Sequence, residues 1–539
     1  MSSNANDRTT GSPFPILPFP GNALDRWRQA ARTAPWVTWV LVLILFALPL
    51  AAYWNTTLHH FGFRDDYANL SEAHEQPGKI VAFTASHARP LYGVLLQQSF
   101  KRVGSIHELQ WLRFAGAAGL GLVAVMLFGL LRRLGWNRVT AAFTAAMVTL
   151  TPSAQVIASW ATAWPYTVPA ILSLGGFMLT DRLGAGRWKE IGWVGAVLLV
   201  ALGALSYQPS SLFYLVGVAA ALPSRREWKL ARNLRWAGWH LTVVFLGLAV
   251  AFLTMKALYA TGVFEASKRL AFEHDPVGKF WWFLREPLLN AINVFFLNDN
   301  QGTPRALYVA GAGAAALLVA SPAVEWLKGN RQTAGFWLLL LLALPIAAHG
   351  VNLVAAERWA TYRTVFTLTS VLLVFLVLSW NRLCGLAGRQ GRFIELAGYA
   401  VAMAMAIHLA RTHPYYLIAI PQGEELQILD AAADRVAPRD RPVKIYFVQP
   451  PDDGPTEIRY HDEFGSLSTN ASWTPKEMFK HLMRERFPDT PDHARYYRLR
   501  TGFRPLPEGE QFDLVIDMHK DMRELHKLGP FYAESHMER

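Results

Sequence analysis

Two adjacent carboxylates form the most distinctive chemical group in the sequence. Asp65 and Asp66 lie in an aromatic run at residues 61–70, about a dozen residues after an apolar block ends. Neighbouring carboxylates near a membrane surface repel each other and are poorly solvated, so the pKa of one of them should rise. Such a carboxylate can accept the proton of a hydroxyl nucleophile. Alternatively, one of the pair caps a helix that begins at Tyr67, which leaves the other available for catalysis.

A second polar group follows about twenty residues later. Arg89 and Pro90 open an amphipathic stretch that continues to about Phe100. Proline is favoured at the first position of a helix, and the pattern indicates an interfacial helix lying on the membrane. Its N-terminal N–H groups, together with the Arg89 guanidinium, could bind an anion.

Further cations occur late in the chain. Lys256 lies in the apolar run 248–259, where it either faces a cavity or extends its ammonium to the lipid headgroups. Arg358 and Arg363 are five residues apart and could hold a phosphate with it. The alternative partners of these arginines are Glu357 and lipid headgroups.

Aromatic and metal-binding side chains give weaker signals. Trp160 and Trp164 either belong to the interfacial aromatic belt or stack on a sugar ring. The first loop also holds several histidines, but none shows a recognised ligand spacing with the aspartates, so we assign no metal and commit to no cofactor, while a divalent ion remains an option. The single cysteine, Cys384, excludes a disulfide framework and is expected to be a reduced thiol.

The elements that must position these side chains are apolar. Of 539 residues, 52% are hydrophobic and 17% are charged, against about 25% charged in soluble domains. Blocks of about 18 to 22 apolar residues match the length of a helix that crosses a bilayer. We expect the sixth block to form a bent or broken element with the fifth around Gln208-Pro209. The eleven predicted transmembrane helices are 36–53, 111–131, 139–157, 164–180, 191–206, 211–223, 238–259, 303–321, 335–354, 364–380 and 393–410.

The net charge of +12 comes mostly from basic residues in short loops, where they orient the chain in the membrane, so it does not indicate nucleic-acid binding. Lysine and arginine in short loops stay in the cytoplasm, and here they fall in every second loop. The N-terminus is therefore predicted to be cytoplasmic and, with eleven spans, the C-terminus extracytoplasmic. The basic loops contain Arg26, Arg28 and Arg32; Arg132, Arg133 and Arg138; Arg182, Arg187 and Lys189; Arg225, Arg226, Lys229, Arg232 and Arg235; Lys328 and Arg331; and Arg382, Arg389 and Arg392.

The predicted domains follow from this topology. Residues 1–35 form a cytoplasmic tail, disordered over 1–25, and residues 36–410 form an all-α transmembrane domain with large outer loops at 54–110 and 260–302. Residues 411–539 are predicted to be a small extracytoplasmic α/β domain. Its predicted strands are 443–448 and 512–516, and its predicted helices are 423–435 and 475–486.

These features together resemble the membrane-embedded glycosyltransferases of the GT-C superfamily. The resemblance rests on Asp65-Asp66 in the first outer loop, Arg89-Pro90 at the start of an amphipathic helix, and the topology. It extends to Tyr207-Gln208-Pro209 at an outer helix end and to Arg358, Tyr362 and Arg363 in a late outer loop. More narrowly, the chain looks like the bacterial branch that includes the O-antigen glucosyltransferases.

The resemblance implies an inverting glycosyltransferase at the outer face of the bacterial inner membrane. It would move a sugar from a polyprenyl-phosphate donor to an envelope glycan or a lipid-linked acceptor. Asp65 would be the general base, and Asp66 would place the acceptor or assist Asp65. Lipid phosphate leaves as a dianion and needs cations around it. The implied substrate-binding residues are Arg89, Lys256, Arg358, Tyr362, Arg363, Gln208, Trp160 and Trp164.

Two other classes stay open from the sequence. A transporter or flippase would carry ionisable or helix-breaking residues near the middle of several spans, and often a repeated half. The predicted spans are almost free of such charge, and the distinctive residues crowd one face. A non-catalytic scaffold for envelope assembly would use residues 411–539 for docking.

Overall fold

The computed structural model describes residues 35–183, 188–225, 229–298, 305–436, 441–449, 463–488, 495–518 and 520–522. The predicted disordered tail at 1–25 lies outside these ranges, as do the basic residues Arg26, Arg28, Arg32, Arg187 and Arg226. The described chain is mostly helical and has a small sheet near its C-terminal end.

The α-helices are numbered here in chain order over the described residues. They are α1 (Pro35–Ala52), α2 (Trp54–Leu58), α3 (Asp65–Glu75), α4 (Lys79–Ser86), α5 (Pro90–Phe100), α6 (Leu109–Arg133), α7 (Arg138–Val148), α8 (Pro152–Ser159), α9 (Thr167–Leu183), α10 (Lys189–Ser211), α11 (Tyr214–Ala220), α12 (Leu230–Ala260), α13 (Pro276–Arg285), α14 (Pro287–Ile292), α15 (Arg305–Leu327), α16 (Arg331–Ala348), α17 (Gly350–Val354), α18 (Phe366–Cys384), α19 (Gly391–Pro414), α20 (Ile420–Ala433) and α21 (Thr474–Arg486).

Six helical stretches of the described chain are long and apolar enough to cross a membrane. Five of them are α6, α10, α12, α15 and α16, and the sixth is the continuous stretch Tyr362–Val436 that contains α18 and α19. A seventh is obtained if α7 and α8, which are bent by 56° relative to each other, form one span. The other predicted spans coincide with the shorter apolar helices α1, α9 and α11, so the count of eleven stays a prediction.

The predicted break around Gln208-Pro209 is confirmed. Tyr207 leaves the helical conformation inside α10, with φ −154° and ψ 107°, and the chain turns before α11 begins at Tyr214. Proline removes a backbone donor and disfavours the helical conformation of the residue before it, so a break near Pro209 is expected. The break places polar side chains at the end of an otherwise apolar helix.

Helix α18 lies at the centre of the helical bundle. Every residue from Phe366 to Ser379 is buried, and a helix that is apolar all round belongs in a core. It packs against α15, α16, α11 and α14. The chain that leads into α18 carries Tyr362 and Arg363, so these two residues are held at the end of a helix that is buried over most of its length.

The predicted outer segments contact one another. Ser267 N donates to Ser86 O at 2.9 Å, which joins the 260–302 segment to the first loop. Asn298 N donates to Tyr362 Oη at 2.7 Å, which joins the same segment to the loop before α18. The three regions with the candidate chemistry therefore lie at one end of the helices.

The predicted basic loops meet at the other end. Arg133 forms an ion pair with Asp181 at 3.3 Å between oppositely charged atoms. Trp136 Nε1 donates to Ala220 O at 2.9 Å, which joins the turn after α6 to the end of α11. Three of the loops predicted to be basic thus lie close together in the described chain, and the orientation inferred from their charge stays a prediction.

The C-terminal part of the chain adds a small parallel sheet. Its strands are β1 (Val443–Val448), β2 (Tyr497–Gly502) and β3 (Leu514–Asp517), in the order β2-β1-β3 with both pairings parallel. The predicted strand at 443–448 is confirmed, the one at 512–516 begins two residues later than predicted, and β2 was not predicted. Charged residues alternate along β2, which hides its apolar face in the sequence.

The C-terminal helices follow the predicted positions. Helix α20 covers most of 423–435 and begins three residues earlier, while α21 covers 475–486. The predicted domain boundary at residue 411 falls inside α19, which passes through a π-helical turn at Tyr415–Ala419 directly into α20. The transmembrane and C-terminal parts are thus joined by continuous helix.

Helix α21 packs on α3, the helix that begins with Asp65. His481 Nε2 lies 3.0 Å from Tyr67 O and 2.9 Å from Ser71 Oγ. A carbonyl oxygen only accepts, so Nε2 carries the proton in this contact. Ser71 Oγ in turn donates to Glu477 at 2.6 Å. The C-terminal part of the chain therefore fixes α3 from the side facing away from the bundle.

This buried imidazole predicts that the contact between α21 and α3 weakens in acid. Burial lowers the pKa of His481 to about 4, so the unfolded chain binds a proton at a pH where the folded chain does not. Stability is then lost as the pH falls from about 6.5 towards 4. We expect the thermal midpoint of the full chain to fall over this range, and to fall less in His481→Gln. Lys476→Gln, at an exposed position of the same helix, should keep the wild-type pH dependence; equal slopes in all three proteins would contradict the assignment.

Candidate functional site

The site is built around the turn that precedes α3. Arg64 adopts φ +45°, a backbone conformation that non-glycine residues rarely take. Contacts with the surrounding structure must therefore stabilise this residue. Arg64 N donates to Ser468 Oγ at 2.8 Å, and its guanidinium donates to Ser466 Oγ. These serines belong to the loop before α21. The turn that carries the two aspartates is thus clamped by the C-terminal part of the chain.

Asp66 is fully buried and joins α3 to the segment after α8. Its Oδ2 accepts from Phe63 N at 2.9 Å, and its Oδ1 accepts from Thr162 N at 2.8 Å and from Thr162 Oγ1 at 2.6 Å. Burial raises the pKa of Asp66, and these hydrogen bonds and the charge of Arg113 act in the opposite direction. The net result is a pKa of about 6. Both carboxylate oxygens are engaged by protein donors, so Asp66 has the contacts of an anchor.

Asp65 has a different environment. It is half-buried, at the first position of α3. Burial raises the pKa of the neighbouring Tyr92 phenol well above its ordinary value; Tyr166 and then the Asp65 carboxylate raise it further, whereas the Arg89 guanidinium lowers it. Both charges are therefore close enough to act on the same phenol. Asp65 and Arg89 thus lie near the same aromatic group.

Arg89 is held at the broken end of α10. Its Nε donates to Gln208 Oε1 at 2.9 Å, and Gln208 Nε2 donates to Ala88 O at 2.9 Å. The guanidinium carbon lies 4.8 Å from the centre of the Tyr207 ring, a favourable cation–π arrangement. The break in α10 is what places Tyr207 and Gln208 beside Arg89.

Three tyrosines connect Arg89 to the aspartate turn. The Tyr207 and Tyr166 rings stack with centroids 3.8 Å apart, and the Tyr166 and Tyr92 rings stack at 5.3 Å. Tyr92 Oη donates to Thr162 O at 2.9 Å, on the residue that also holds Asp66. Stacked rings of this kind resist displacement because they are buried and their positions are mutually fixed.

Arg363 completes the group from the late loop. Its guanidinium carbon lies 4.7 Å from the Trp160 ring, and Trp160 packs edge-on against Phe63 at 5.1 Å. Arg363 also pairs with the buried carboxylate of Glu463 at 3.4 Å. The indole N–H of Trp160 is buried and meets no acceptor among the described residues. Arg363 is thus placed one aromatic layer away from the aspartate turn.

The other predicted site residues have separate positions. Tyr362 is fully buried, with its N–H donating to Glu463 at 3.2 Å, and Trp164 donates to Ser99 Oγ at 3.1 Å. Arg358 pairs with acidic residues of the 260–302 loop, Glu273 at 3.3 Å and Asp275 at 3.1 Å.

Lys256 lies on the exposed side of α12, near the Phe252 ring at 5.8 Å. Of the two alternatives from the sequence, this position fits a lysine that extends its ammonium to the lipid headgroups. Neither Lys256 nor Arg358 makes a contact with the group formed by Asp65, Asp66, Arg89, Gln208, Trp160 and Arg363 in the described chain.

Arg113 is a site residue that sequence reasoning missed. It is fully buried in α6, and it donates to three backbone carbonyls, of Thr57 at 3.2 Å, His59 at 2.7 Å and Phe61 at 2.8 Å. It also stacks on the Phe61 ring at 4.1 Å. The five guanidinium donors suit such a cluster of acceptors. The only signal in the sequence is a lone arginine near the start of an apolar block.

In the ranges that the structure describes, no group of three or more histidine, cysteine, aspartate or glutamate side chains is arranged to hold an ion. His74 instead contacts Val103 O at 2.9 Å, and His87 contacts Phe83 O at 2.9 Å.

Few known proteins are similar to this chain. No family model and no curated protein matches the chain. Among solved structures, the chain is similar to the crystal structure of an Archaeoglobus fulgidus oligosaccharyltransferase complexed with Zn and sulfate, with 12% sequence identity and a TM-score of 0.38. The likeness covers 83% of this chain and 61% of the oligosaccharyltransferase, so the chain spans about three fifths of that protein. A likeness of this degree carries no function over to this chain.

Arg113 provides a test of how the aspartate turn is held. Arg113→Met leaves up to three buried carbonyls without a donor, and each such loss costs about 1–3 kcal/mol. We expect a lower thermal midpoint for Arg113→Met and a smaller decrease for Arg113→Lys, which keeps a cation near Asp66. Arg102→Met, at an exposed position, should leave the midpoint unchanged. A wild-type midpoint for Arg113→Met would contradict this stabilising role of Arg113.

Proposed function

We propose that this chain is a membrane-embedded glycosyltransferase of the GT-C type, using a polyprenyl-phosphate-linked sugar. The observation that carries the proposal is the convergence of Asp65, Arg89 and Arg363 around the buried Asp66–Thr162 anchor at one end of the bundle. A transporter would need a site that opens to both sides, whereas these groups lie together at one end.

The division of labour between the two aspartates follows from their contacts. Asp66 has both oxygens occupied by donors from Phe63 and Thr162, which suits an anchor. Asp65, at the start of α3, is half-buried rather than fully enclosed, and a general base must be within reach of the substrate hydroxyl. We therefore assign the general base to Asp65 and a positioning role to Asp66.

The proposed reaction is a single displacement. Asp65 takes the proton of the acceptor hydroxyl as its oxygen attacks the anomeric carbon of the sugar. The bond between that carbon and the phosphate oxygen breaks, the configuration inverts, and lipid phosphate leaves as a dianion. Arg89 and Arg363 stabilise the charge that develops on the phosphate, so a general acid is not needed.

The proposed orientation places the site at the outer face of a bacterial inner membrane. The basic loops, which meet at the other end of the bundle, would be cytoplasmic under the positive-inside rule. The acceptor would be an envelope glycan or a lipid-linked saccharide, and the C-terminal part of the chain would lie on the periplasmic side beside it.

The proposed base is tested by transfer assays on purified protein with polyprenyl-phosphate sugars. General-base catalysis contributes about 10²- to 10⁴-fold, so Asp65→Asn should lower kcat by at least about 100-fold with little change in thermal midpoint. Asp66→Asn should lower the midpoint as well as the activity, because it removes an acceptor from a fully buried site. Full activity in Asp65→Asn would overturn the assignment. If neither the wild type nor the two variants transfers sugar, and cells that carry the doubly substituted protein assemble a normal envelope, the result would favour a scaffold.

Arg363 and Arg358, both in the late loop, allow a test substitution to be compared with a control. Arg363→Lys keeps the charge but loses the planar contact with Trp160 and the pairing geometry with Glu463, so we expect weaker donor binding and a raised KM. Arg358→Lys alters an arginine that is paired with Glu273 and Asp275, and it should leave the KM for the donor within about two-fold. The same kinetic assay measures both. Equal effects of the two substitutions would show that Arg363 has no special contact with the donor.

A further inference from the structure

The segment between α12 and α14 presents an apolar surface that the rest of the described chain leaves uncovered. In α13 the exposed fractions are 68% for Val277, 42% for Phe280 and 56% for Trp281. These positions are spaced by three and four residues, so they form one stripe along the helix.

The opposite stripe of α13 faces the protein and contains a cation. Lys279 is 1% exposed; its Nζ donates to Glu357 O at 2.6 Å and lies 4.3 Å from the centre of the Trp282 ring. Trp282 and Phe283 are buried beside it. An amphipathic helix at a water surface has the reverse order, with charges outside and aromatic residues inside. The contact of Lys279 with Glu357 fixes the rotation of α13, so its apolar stripe must point outward.

The apolar stripe continues onto the exposed side of a transmembrane helix. The Phe272 ring, 55% exposed, lies 6.5 Å from the Phe252 ring of α12, which is 49% exposed. Phe252 precedes the end of α12 by eight residues, or about 12 Å along the helix. The chain after α12 therefore folds back along the face that α12 presents to lipid, where Leu253 is 63% exposed.

Basic residues lie beside this surface. Lys256 is one turn after Phe252 and four residues before the end of α12, and a lysine near the end of a transmembrane helix can extend its ammonium to the headgroups. Arg285 lies 5.9 Å from the Trp281 ring, and Lys268 and Arg269 lie in the same segment. Tryptophan beside lysine or arginine is the composition of a membrane–water boundary.

We propose that this surface is embedded in the leaflet of the membrane on the side of the candidate site and contacts bilayer lipid directly. We call it the collar, and it consists of Val263, Leu270, Phe272, Val277, Phe280 and Trp281. Residues 263–281 thus form a lipid-contacting element, whereas the sequence predicts an ordinary outer loop there. Its continuity with the exposed face of α12 favours lipid over a second protein as the occupant. The inference does not depend on the proposed transfer reaction.

The collar is tested with a polarity-sensitive fluorophore on single cysteines. The native cysteine is removed by Cys384→Ala, and the label is placed at Val277→Cys or Trp281→Cys in the full chain. Leu253→Cys on α12 is the lipid-exposed reference, and Arg498→Cys on β2 is the water-exposed reference. The proteins are placed in nanodiscs of phosphatidylethanolamine and phosphatidylglycerol, one chain per disc, with and without lipids that carry a spin-label quencher on the acyl chain.

The expected result is emission at Val277→Cys and Trp281→Cys as blue-shifted as at Leu253→Cys, with quenching by the labelled lipids at least half as strong. Emission and quenching like those at Arg498→Cys would overturn the proposal. Blue-shifted emission without lipid quenching would also overturn it, because the stripe would then be covered by protein. Val277 is largely exposed, so its substitution disturbs no packing and gives a readout even where Trp281→Cys folds poorly. A transfer assay on the same discs reports separately on the proposed reaction.

Discussion

The Asp66 carboxylate is buried without contact to water, and the geometry of the candidate site depends on how that burial is compensated. Removing an ionised carboxylate from water costs several kcal/mol unless donors replace the lost hydration. Phe63 supplies one donor and Thr162 supplies two, across 96 residues of chain. Because the same Thr162 accepts from Tyr92, the aspartate turn, the segment after α8 and helix α5 are held at one point.

The C-terminal part of the chain contributes structure to this site. Arg64 is held by Ser466 and Ser468, Arg363 pairs with Glu463, and α21 packs on α3. These contacts surround the turn that carries Asp65 on the side away from the helical bundle. The site is therefore assembled from the first loop, the broken end of α10, the entry to α18 and the segment 463–470, which are hundreds of residues apart in the chain.

The parts of this arrangement that depend on local sequence could be predicted. The helix start after Arg89, the break near Pro209 and the strand at 443–448 follow from proline chemistry and apolar patterning within a few residues. The partners Thr162, Arg113 and Glu463 could not be predicted, because each is an ordinary residue until the fold brings it to the aspartate turn. Arg358 and Arg363 are equivalent in the sequence, and the fold distinguishes them: Glu273 and Asp275 pair with Arg358, whereas Trp160 and Glu463 contact Arg363. The number of spans also exceeds what length and apolarity alone support, because several predicted spans are short or bent helices.

The uninterrupted passage from α19 through Tyr415–Ala419 into α20 has a mechanical consequence. The C-terminal part of the chain is attached by helix rather than by a flexible tether, and Pro414 and the π-helical turn are the places where this helix can bend. The side chain of Gln422, directly after this bend, bonds to Ser466 and Ser468, in the loop that contacts Arg64. A change in the tilt of the last span, such as a bilayer of different thickness causes, would therefore reach that loop through the bend.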